Sequence, residues 1–460
     1  MARLKCRIIQ LVFSQYYFYY LFSIFKHYFL QYFSVFKHYF KQNTCVLKYY
    51  SYLCGQNTTT MNSIEYLQKV LDRKLQATST DFKRYLFGKI DWRDRLIGIK
   101  GPKGTGKSTL MLQHIKEAFP DTSEVLYASL DDLWFATHTF ADVVEDYYAY
   151  GGRYLFLDEI HYLDSWQTVL KNLNDNYPGL YVAYTGSSML KMEKGKGDLS
   201  RRLMEYTLTG LSFREYLKFE GIKEIPVIEL KDLLKKHKSI ATEIISDGFK
   251  VLPAFVQYLK NGYYPFYKDI YGGYANRLQN VVNHILENDY AVVENVEQST
   301  IKKAKKMFMI LAEQVPQKPN MSELYRELDT DRNQGLKMLY ALEKAGLLSL
   351  LTDTPRKLSD LSRPEKIYLN NTNLMNAFSM QPNTGTMREI FFLNQLSQSH
   401  QVTYPPKGDF LVDGKYIFEV GGRKKSFDQI KDIPNSYLAI DETEVGFGNK
   451  IPLWMFGLLY

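Results

Sequence analysis

The chain has 460 residues, a length that accommodates two to four domains. Its 45% hydrophobic and 23% charged residues exclude a wholly disordered, collagen-like or multi-span membrane chain. Lys and Arg number 58 against 50 Asp and Glu, a net charge of +8, and 15% of residues are aromatic. Basicity of that size ordinarily points toward nucleic acid or a membrane surface.

The charge is unevenly placed. Residues 1–60 hold no Asp or Glu, and seven basic residues: Arg3, Lys5, Arg7, Lys26, Lys37, Lys41 and Lys48. The other 400 residues carry 51 basic and 50 acidic side chains. All three cysteines (Cys6, Cys45, Cys54) also fall in the first sixty, which excludes disulfides and cysteine metal sites from the main body and fits a reducing cytoplasm. The segment repeats Phe25-Lys26-His27-Tyr28-Phe29 as Phe36-Lys37-His38-Tyr39-Phe40. Its uncharged run, residues 8–25, is interrupted by Gln10, Ser14, Gln15, Ser23 and four tyrosines, which weakens a membrane span. A signal peptide needs a compact apolar core and a small-residue cleavage site, and neither is clear. We read residues 1–60 as a non-native or anchor-like extension. Translated AT-rich non-coding sequence, with Met61 as the true start, is the first reading, and a peripheral anchor the second.

From Met61 the pattern is that of an α/β protein. Residues 63–75 predict a helix, with Ile64, Leu67, Val70, Leu71 and Leu75 on one stripe. Short apolar runs at 95–100, 125–130, 154–157 and 180–184 predict strands, separated by helical stretches such as 107–118. Strands alternating with helices imply a parallel sheet covered on both faces. Residues 213–298 read as mostly helical, 299–352 as a helical block ending in a strand, and 365–460 as mixed strand and helix.

Gly101-Pro102-Lys103-Gly104-Thr105-Gly106-Lys107-Ser108 matches GxxxxGK[ST] in full, between a strand and a helix opened by Thr109. Such a loop points successive backbone N–H groups at a β-phosphate, and the helix N-terminus adds positive potential. In this pattern residues 101–109 bind the nucleotide, Lys107 reaches the β- and γ-phosphates of ATP, and Ser108 ligates Mg²⁺. The strand ending in Asp158-Glu159 supplies the partner acids: Asp158 for the metal and Glu159 as the base toward water. The next strand ends in Thr185-Gly186-Ser187-Ser188, whose polar residues, Ser187 among them, are placed to hold the attacking water or sense the γ-phosphate. Arg202, in Asp198-Leu199-Ser200-Arg201-Arg202, is a candidate to neutralise transition-state charge, in cis or from a neighbouring subunit. A surface basic pair is the competing reading of that arginine.

These stretches, followed by Leu211-Ser212-Phe213-Arg214-Glu215-Tyr216-Leu217 and Gly262-Tyr263-Tyr264-Pro265, resemble in order a family of bacterial and archaeal AAA-type ATP-binding proteins. The resemblance covers residues 62–460. It implies an AAA+-like P-loop NTPase core with a parallel sheet, then a helical lid, a winged-helix-like segment, and a small α/β C-terminal domain of unknown function related to endonuclease folds. The boundaries it suggests are 61–215, 216–298, 299–360 and 361–460.

Within the third of these, Asn320-Met321-Ser322-Glu323 reads as a helix start, its polar residues able to cap residues 324–328, and residues 334–345 form a second helix, before Gly346 and a strand. Arg332, Asn333, Gln334 and Lys337 suit DNA contact, but Glu323, Glu327, Asp329, Asp331 and Glu343 crowd the same segment. The lysine runs at 235–238 and 302–306 read as solvated faces. In the last domain Asp409 and Glu419 are spaced like the acids of metal-dependent nucleases, yet the lysine position is Gly421. Lys425 reaches Glu419 only if the chain turns at Gly421-Gly422. The primary expectation is therefore a cytoplasmic ATPase using ATP and Mg²⁺, with a DNA or protein partner through its later segments and an oligomer open. The alternatives are an ATP-gated binding switch with little turnover and an ATP-regulated nuclease.

Overall fold

The four predicted apolar runs and their intervening helices assemble as a parallel sheet, joined by a fifth, half-exposed strand that the sequence pattern did not mark. The computed structural model describes residues 63–193, 199, 201–270, 272–313, 320–354 and 363–460. The reading of residues 1–60 lies outside these, as do Asp198 and Ser200. Strands β1 (Leu96–Lys100), β2 (Val125–Ser129), β3 (Tyr154–Asp158), β4 (Tyr181–Gly186) and β5 (Met204–Thr207) lie in the order β2-β3-β4-β1-β5. All four pairings are parallel.

Side chains alternate across this sheet as the pleat requires. Leu96, Leu126, Leu155, Leu157, Val182 and Tyr184 enter one core. Ile97, Ile99, Tyr127, Phe156 and Ala183 enter the other. Both faces are covered, which is why the strands are continuous apolar runs rather than half-polar ones. Helix α1 (Ser63–Ala77) lies against β2, and Gln68 Nε2 donates to the Val125 carbonyl at 2.7 Å. That covers a sheet edge open to pairing.

Helix α2 (Lys107–Ala118) follows the glycine-rich loop, and α3 (Phe140–Ala149) and α4 (Trp166–Asn176) complete the crossovers. After β5 comes α5 (Phe213–Phe219), then α6 (Leu230–Ile245), α7 (Val251–Asn261) and α8 (Tyr274–His284). Residues 299–352 take the expected outline. Helix α9 (Gln298–Glu313) precedes α10 (Met321–Glu327) and α11 (Arg332–Lys344), and β6 (Leu348–Leu351) pairs antiparallel with β7 (Lys366–Leu369). Asn320 caps α10 through the Glu323 amide, and Asp331 caps α11 through the Asn333 and Gln334 amides.

The last part is a second, mixed sheet. Strands β8 (Val402–Thr403), β9 (Phe410–Val412) and β10 (Tyr416–Gly421) are antiparallel, whereas β10, β11 (Ser436–Ile440) and β12 (Lys450–Pro452) are parallel. Helix α12 (Thr384–Leu396) packs on it through Phe392, whose ring lies 5.1 Å from Phe410, 5.0 Å from Phe418 and 4.8 Å from Phe456. One apolar cluster runs without a break from Phe213 through the helices to Leu459. The described elements after β5 therefore form one packed body. Among the described residues no helix is long and apolar enough to cross a membrane.

The lysine run on α9 behaves as a solvated face. Lys303 pairs with Asp329, Lys305 with Glu287 and Lys306 with Glu327. Exposed pairs of this kind contribute little to stability.

Candidate nucleotide site

The loop after β1 is held where only glycine fits. A Cβ on Gly101 would lie 2.0 Å from the Leu208 carbonyl oxygen. At Gly104 φ is +84°, and a Cβ would lie 2.6 Å from the Phe266 ring. Gly106 then caps α2 in the left-handed region, and the helix presents its free N–H groups to the loop. Thr105 Oγ1 donates to the Pro102 carbonyl at 2.9 Å, bracing the turn.

Lys107 opens α2 and is 4% exposed. Its Nζ donates to the Gly101 and Pro102 carbonyls at 2.9 and 3.0 Å. Burial lowers its pKa to about 8, with Glu159 and Asp158 opposing the shift.

Strand β4 lies between β1 and β3, and this placement builds the acid side of the site. Asp158 ends β3, almost fully buried. Its Oδ1 accepts from Ser108 Oγ at 2.9 Å and from Thr185 Oγ1 on β4. Its Oδ2 accepts from Tyr127 OH at 2.7 Å. Three hydroxyls thus fix the carboxylate against the loop. Glu159 follows with φ +53°, a left-handed conformation rare for a side-chain-bearing residue. Its amide donates to Thr185 Oγ1 at 3.1 Å, and its Oε2 accepts from the Ser187 amide at 3.1 Å. His161 Nδ1 lies 3.2 Å from the same oxygen. Burial lowers the His161 pKa to about 3, so the imidazole is neutral. Burial also raises the Glu159 pKa, an effect that Lys107 opposes and Asp158 reinforces.

A cleft of about 700 Å³ opens from Lys107, Ser108 and Glu159. Its walls come from the segment after α1, including Phe82, and from the helical region, including Phe219, Phe266 and Lys268. Phe82 and Phe219 are 4.9 Å apart, and Lys268 Nζ stands 4.3 Å over the Phe219 ring. The volume and mixed lining suit a molecule of nucleotide size.

Residues 93–217 match the family model described as an AAA domain. This part of the chain is an AAA-type P-loop domain. Residues 252–385 match a second family, described as a domain of unknown function (DUF8612). The chain is 26% identical over 375 residues to the uncharacterized protein MJ1637 of Methanocaldococcus jannaschii, covering 74% of this chain and 78% of that protein. It is also 26% identical over 144 residues to MJ1544 of the same archaeon, covering 30% and 32%. Among solved structures, the Aeropyrum pernix ORC1 protein in complex with DNA aligns over 68% of this chain and 91% of that one, at 12% identity and a TM-score of 0.30.

The AAA-type domain brings together residues 101–109, Asp158, Glu159 and Ser187. It does not bring Arg202 to them. Arg202 precedes β5, at the end of the sheet opposite the phosphate loop, and its Nε donates to Asp175 Oδ1 at 2.8 Å. A role in cis is corrected by that placement, and a role on phosphate requires the site of a second copy. Tyr127, Thr185 and His161 belong to the site, although the sequence pattern assigned Tyr127 and His161 no role and did not foresee that Thr185 holds Asp158. Thr185 stood in a stretch already singled out. Tyr127 and His161 carried no signal beyond proximity to strand ends.

The acids of the second sheet are arranged differently. The chain does turn after Gly421, and Lys425 Nζ lies 2.8 Å from Glu419 Oε1. A Cβ on Gly421 would lie 2.7 Å from the Lys425 side chain, so glycine is what admits the turn. Asp409 instead joins Glu389 of α12. Lys366 Nζ sits 3.1 Å from Asp409 and 3.2 Å from Glu389, and Tyr368 OH donates to Glu389 at 2.5 Å. Among the described residues no group of three or more His, Cys, Asp or Glu side chains is placed to hold a metal ion.

Proposed function

We propose that the chain binds ATP with Mg²⁺ in this cleft and hydrolyses it in the cytoplasm. The observation that carries the reading is the Ser108–Asp158 contact beside Lys107, with Glu159 turned to the same side and held by the Ser187 amide. Ser108 and Asp158 offer hard oxygen donors side by side, the donor type Mg²⁺ takes together with phosphate oxygens. The metal, when bound, neutralises charge on the β- and γ-phosphates. Lys107 and the amides of residues 104–108 bind and orient the phosphate chain. Tyr127 and Thr185 hold Asp158 in place. Glu159 accepts a proton from the attacking water, for which its raised pKa suits it. Ser187 keeps that carboxylate aimed, and neutral His161 adds no competing charge. Catalysis is then mostly positioning and charge neutralisation. The test is Mg²⁺-dependent phosphate release from ATP by the purified full chain. Absence of release at saturating ATP, with and without duplex DNA, contradicts turnover.

A second reading, an ATP-gated DNA- or protein-binding switch, draws on one contact. A Cβ on Gly346, at the end of α11, would lie 3.2 Å from the Pro102 ring of the phosphate loop. In this reading a shift of that loop would be passed across the close approach to the helix that exposes Arg332, Asn333, Gln334 and Lys337. Salt-dependent duplex binding that changes with nucleotide supports this reading, and binding indifferent to nucleotide removes it. Metal-dependent nicking lost in both Asp409→Ala and Glu419→Ala is what a nuclease reading requires.

A further inference from the structure

Arg84 lies between α1 and β1, in a stretch that no motif marks. Its side chain is 5% exposed. A buried guanidinium is costly unless its donors are met, and here they are met in one constellation. Nε and Nη2 bind the two oxygens of Glu215 at 3.0 and 3.1 Å. Nη2 also donates to the carbonyls of Thr209 and Gly210 at 2.8 and 2.9 Å. Nη1 donates to the carbonyl of Thr105, inside the phosphate loop, at 2.5 Å.

The last contact has a consequence for chemistry. A trans peptide is planar, with its C=O and N–H pointing opposite ways. Holding the Thr105 carbonyl toward Arg84 turns the Gly106 N–H to the other side. We propose that Arg84 is a positioning residue for the phosphate loop, fixing the Thr105–Gly106 peptide so that its N–H faces the β-phosphate, with Glu215 fixing Arg84 in turn. The proposal rests on the nucleotide reading of the cleft.

It also gives a reason for the stretch 211–217. Glu215 completes a capping box with Ser212 at the start of α5 and accepts from the Tyr85 amide at 2.6 Å. Ser212 Oγ and Arg214 Nε both donate to the main-chain oxygen of Tyr460, at 3.0 and 2.8 Å. Gln395 of α12 donates to Tyr460 OH at 3.3 Å. The phosphate loop, α5 and the second sheet's helix are therefore joined through hydrogen bonds that pass by way of Arg84.

The test uses the full chain, with ADP and AMP competing against a fluorescent ATP analogue. Wild type prefers ADP, because the loop cradles the β-phosphate. Arg84→Lys keeps the charge beside Glu215 but loses the fork. The preference for ADP over AMP is expected to fall about tenfold while AMP affinity stays within about twofold. A residue that only stabilises the fold would weaken both nucleotides alike. Glu215→Gln preserves the capping box and is expected to give a smaller loss in the same direction; it decides alone if Arg84→Lys does not fold. An unchanged ADP preference in the folded variants overturns the proposal. A wild-type chain with no preference for ADP overturns the nucleotide reading itself.

Discussion

Two regions of this chain gather carboxylates and a lysine at the end of a sheet, and they use them in opposite ways. At the phosphate loop, Asp158 is held by three hydroxyls and Glu159 by a main-chain amide, while Lys107 donates to carbonyls of its own loop. Positive and negative groups share the site without being spent on one another. Beside the second sheet, Lys366 of β7 closes on Glu389 of α12 and on Asp409, and Lys425 closes on Glu419. There each lysine is taken up by carboxylates rather than by main-chain carbonyls. Residue types alone do not separate these cases; the partner of each charge does.

The contrast can be broken most sharply at Lys366. Lys366→Met leaves two neighbouring, mostly buried carboxylates without their counter-charge. A loss of about 3 kcal/mol in unfolding free energy is expected, with ATP turnover of the folded fraction unchanged. Burial and Asp409 already raise the Glu389 pKa, and Lys366 opposes that rise. The folded state of the variant therefore binds protons that the unfolded chain releases. Its stability falls as pH rises, and part of the lost stability returns as pH is lowered toward the ordinary carboxylate range. Denaturant titrations across that range check the sign. An equal loss in ATP turnover would mean the second cluster is part of the reaction.

Lys107→Ala probes the other side. ATP affinity is expected to drop about a hundredfold, since a charged donor to phosphate is removed. Thermal stability should not fall, because burial of the ammonium opposes folding. Calorimetric titration and a melting curve read the two effects separately. Loss of stability without loss of affinity would make Lys107 the same kind of structural lysine as Lys366.

A smaller effect follows from pH. Burial lowers the Lys107 pKa to about 8, and the protonated form is the one that binds phosphate. Phosphate raises that pKa in the complex, so ATP affinity is full below pH 8 and declines above it, by at most about tenfold per unit. Affinity that is flat or rising between pH 7.5 and 9.5 contradicts the arrangement.

The two regions also differ in how far the sequence revealed them. Residues 101–108 and Asp158-Glu159 are consecutive in the chain, and their chemistry needs that adjacency, so they were legible. Alternation of strands and helices indicated a parallel sheet, and polar stretches such as Asn320–Glu323 marked helix starts within a few residues. The order β2-β3-β4-β1-β5 was not legible, because nothing local says that β4 inserts between β1 and β3. Thr185 binding Asp158 depends on that insertion. Arg84 and Glu215 meet across 131 positions, a distance at which no spacing rule operates. Lys425 illustrates the middle ground: the sequence stated the condition, a turn after Gly421, and the structure meets it. The opening net charge of +8 proved least informative, since the residues from 61 onward are nearly balanced.

Glu159 is the residue on which the proposed hydrolysis depends most directly. Purified wild type and Glu159→Gln should be compared with ATP and Mg²⁺, measuring nucleotide affinity and single-turnover hydrolysis on the same samples. The expected result is ATP affinity within about threefold of wild type and hydrolysis slowed by roughly 10²–10⁴. Hydrolysis by Glu159→Gln at the wild-type rate would contradict the assignment of the base.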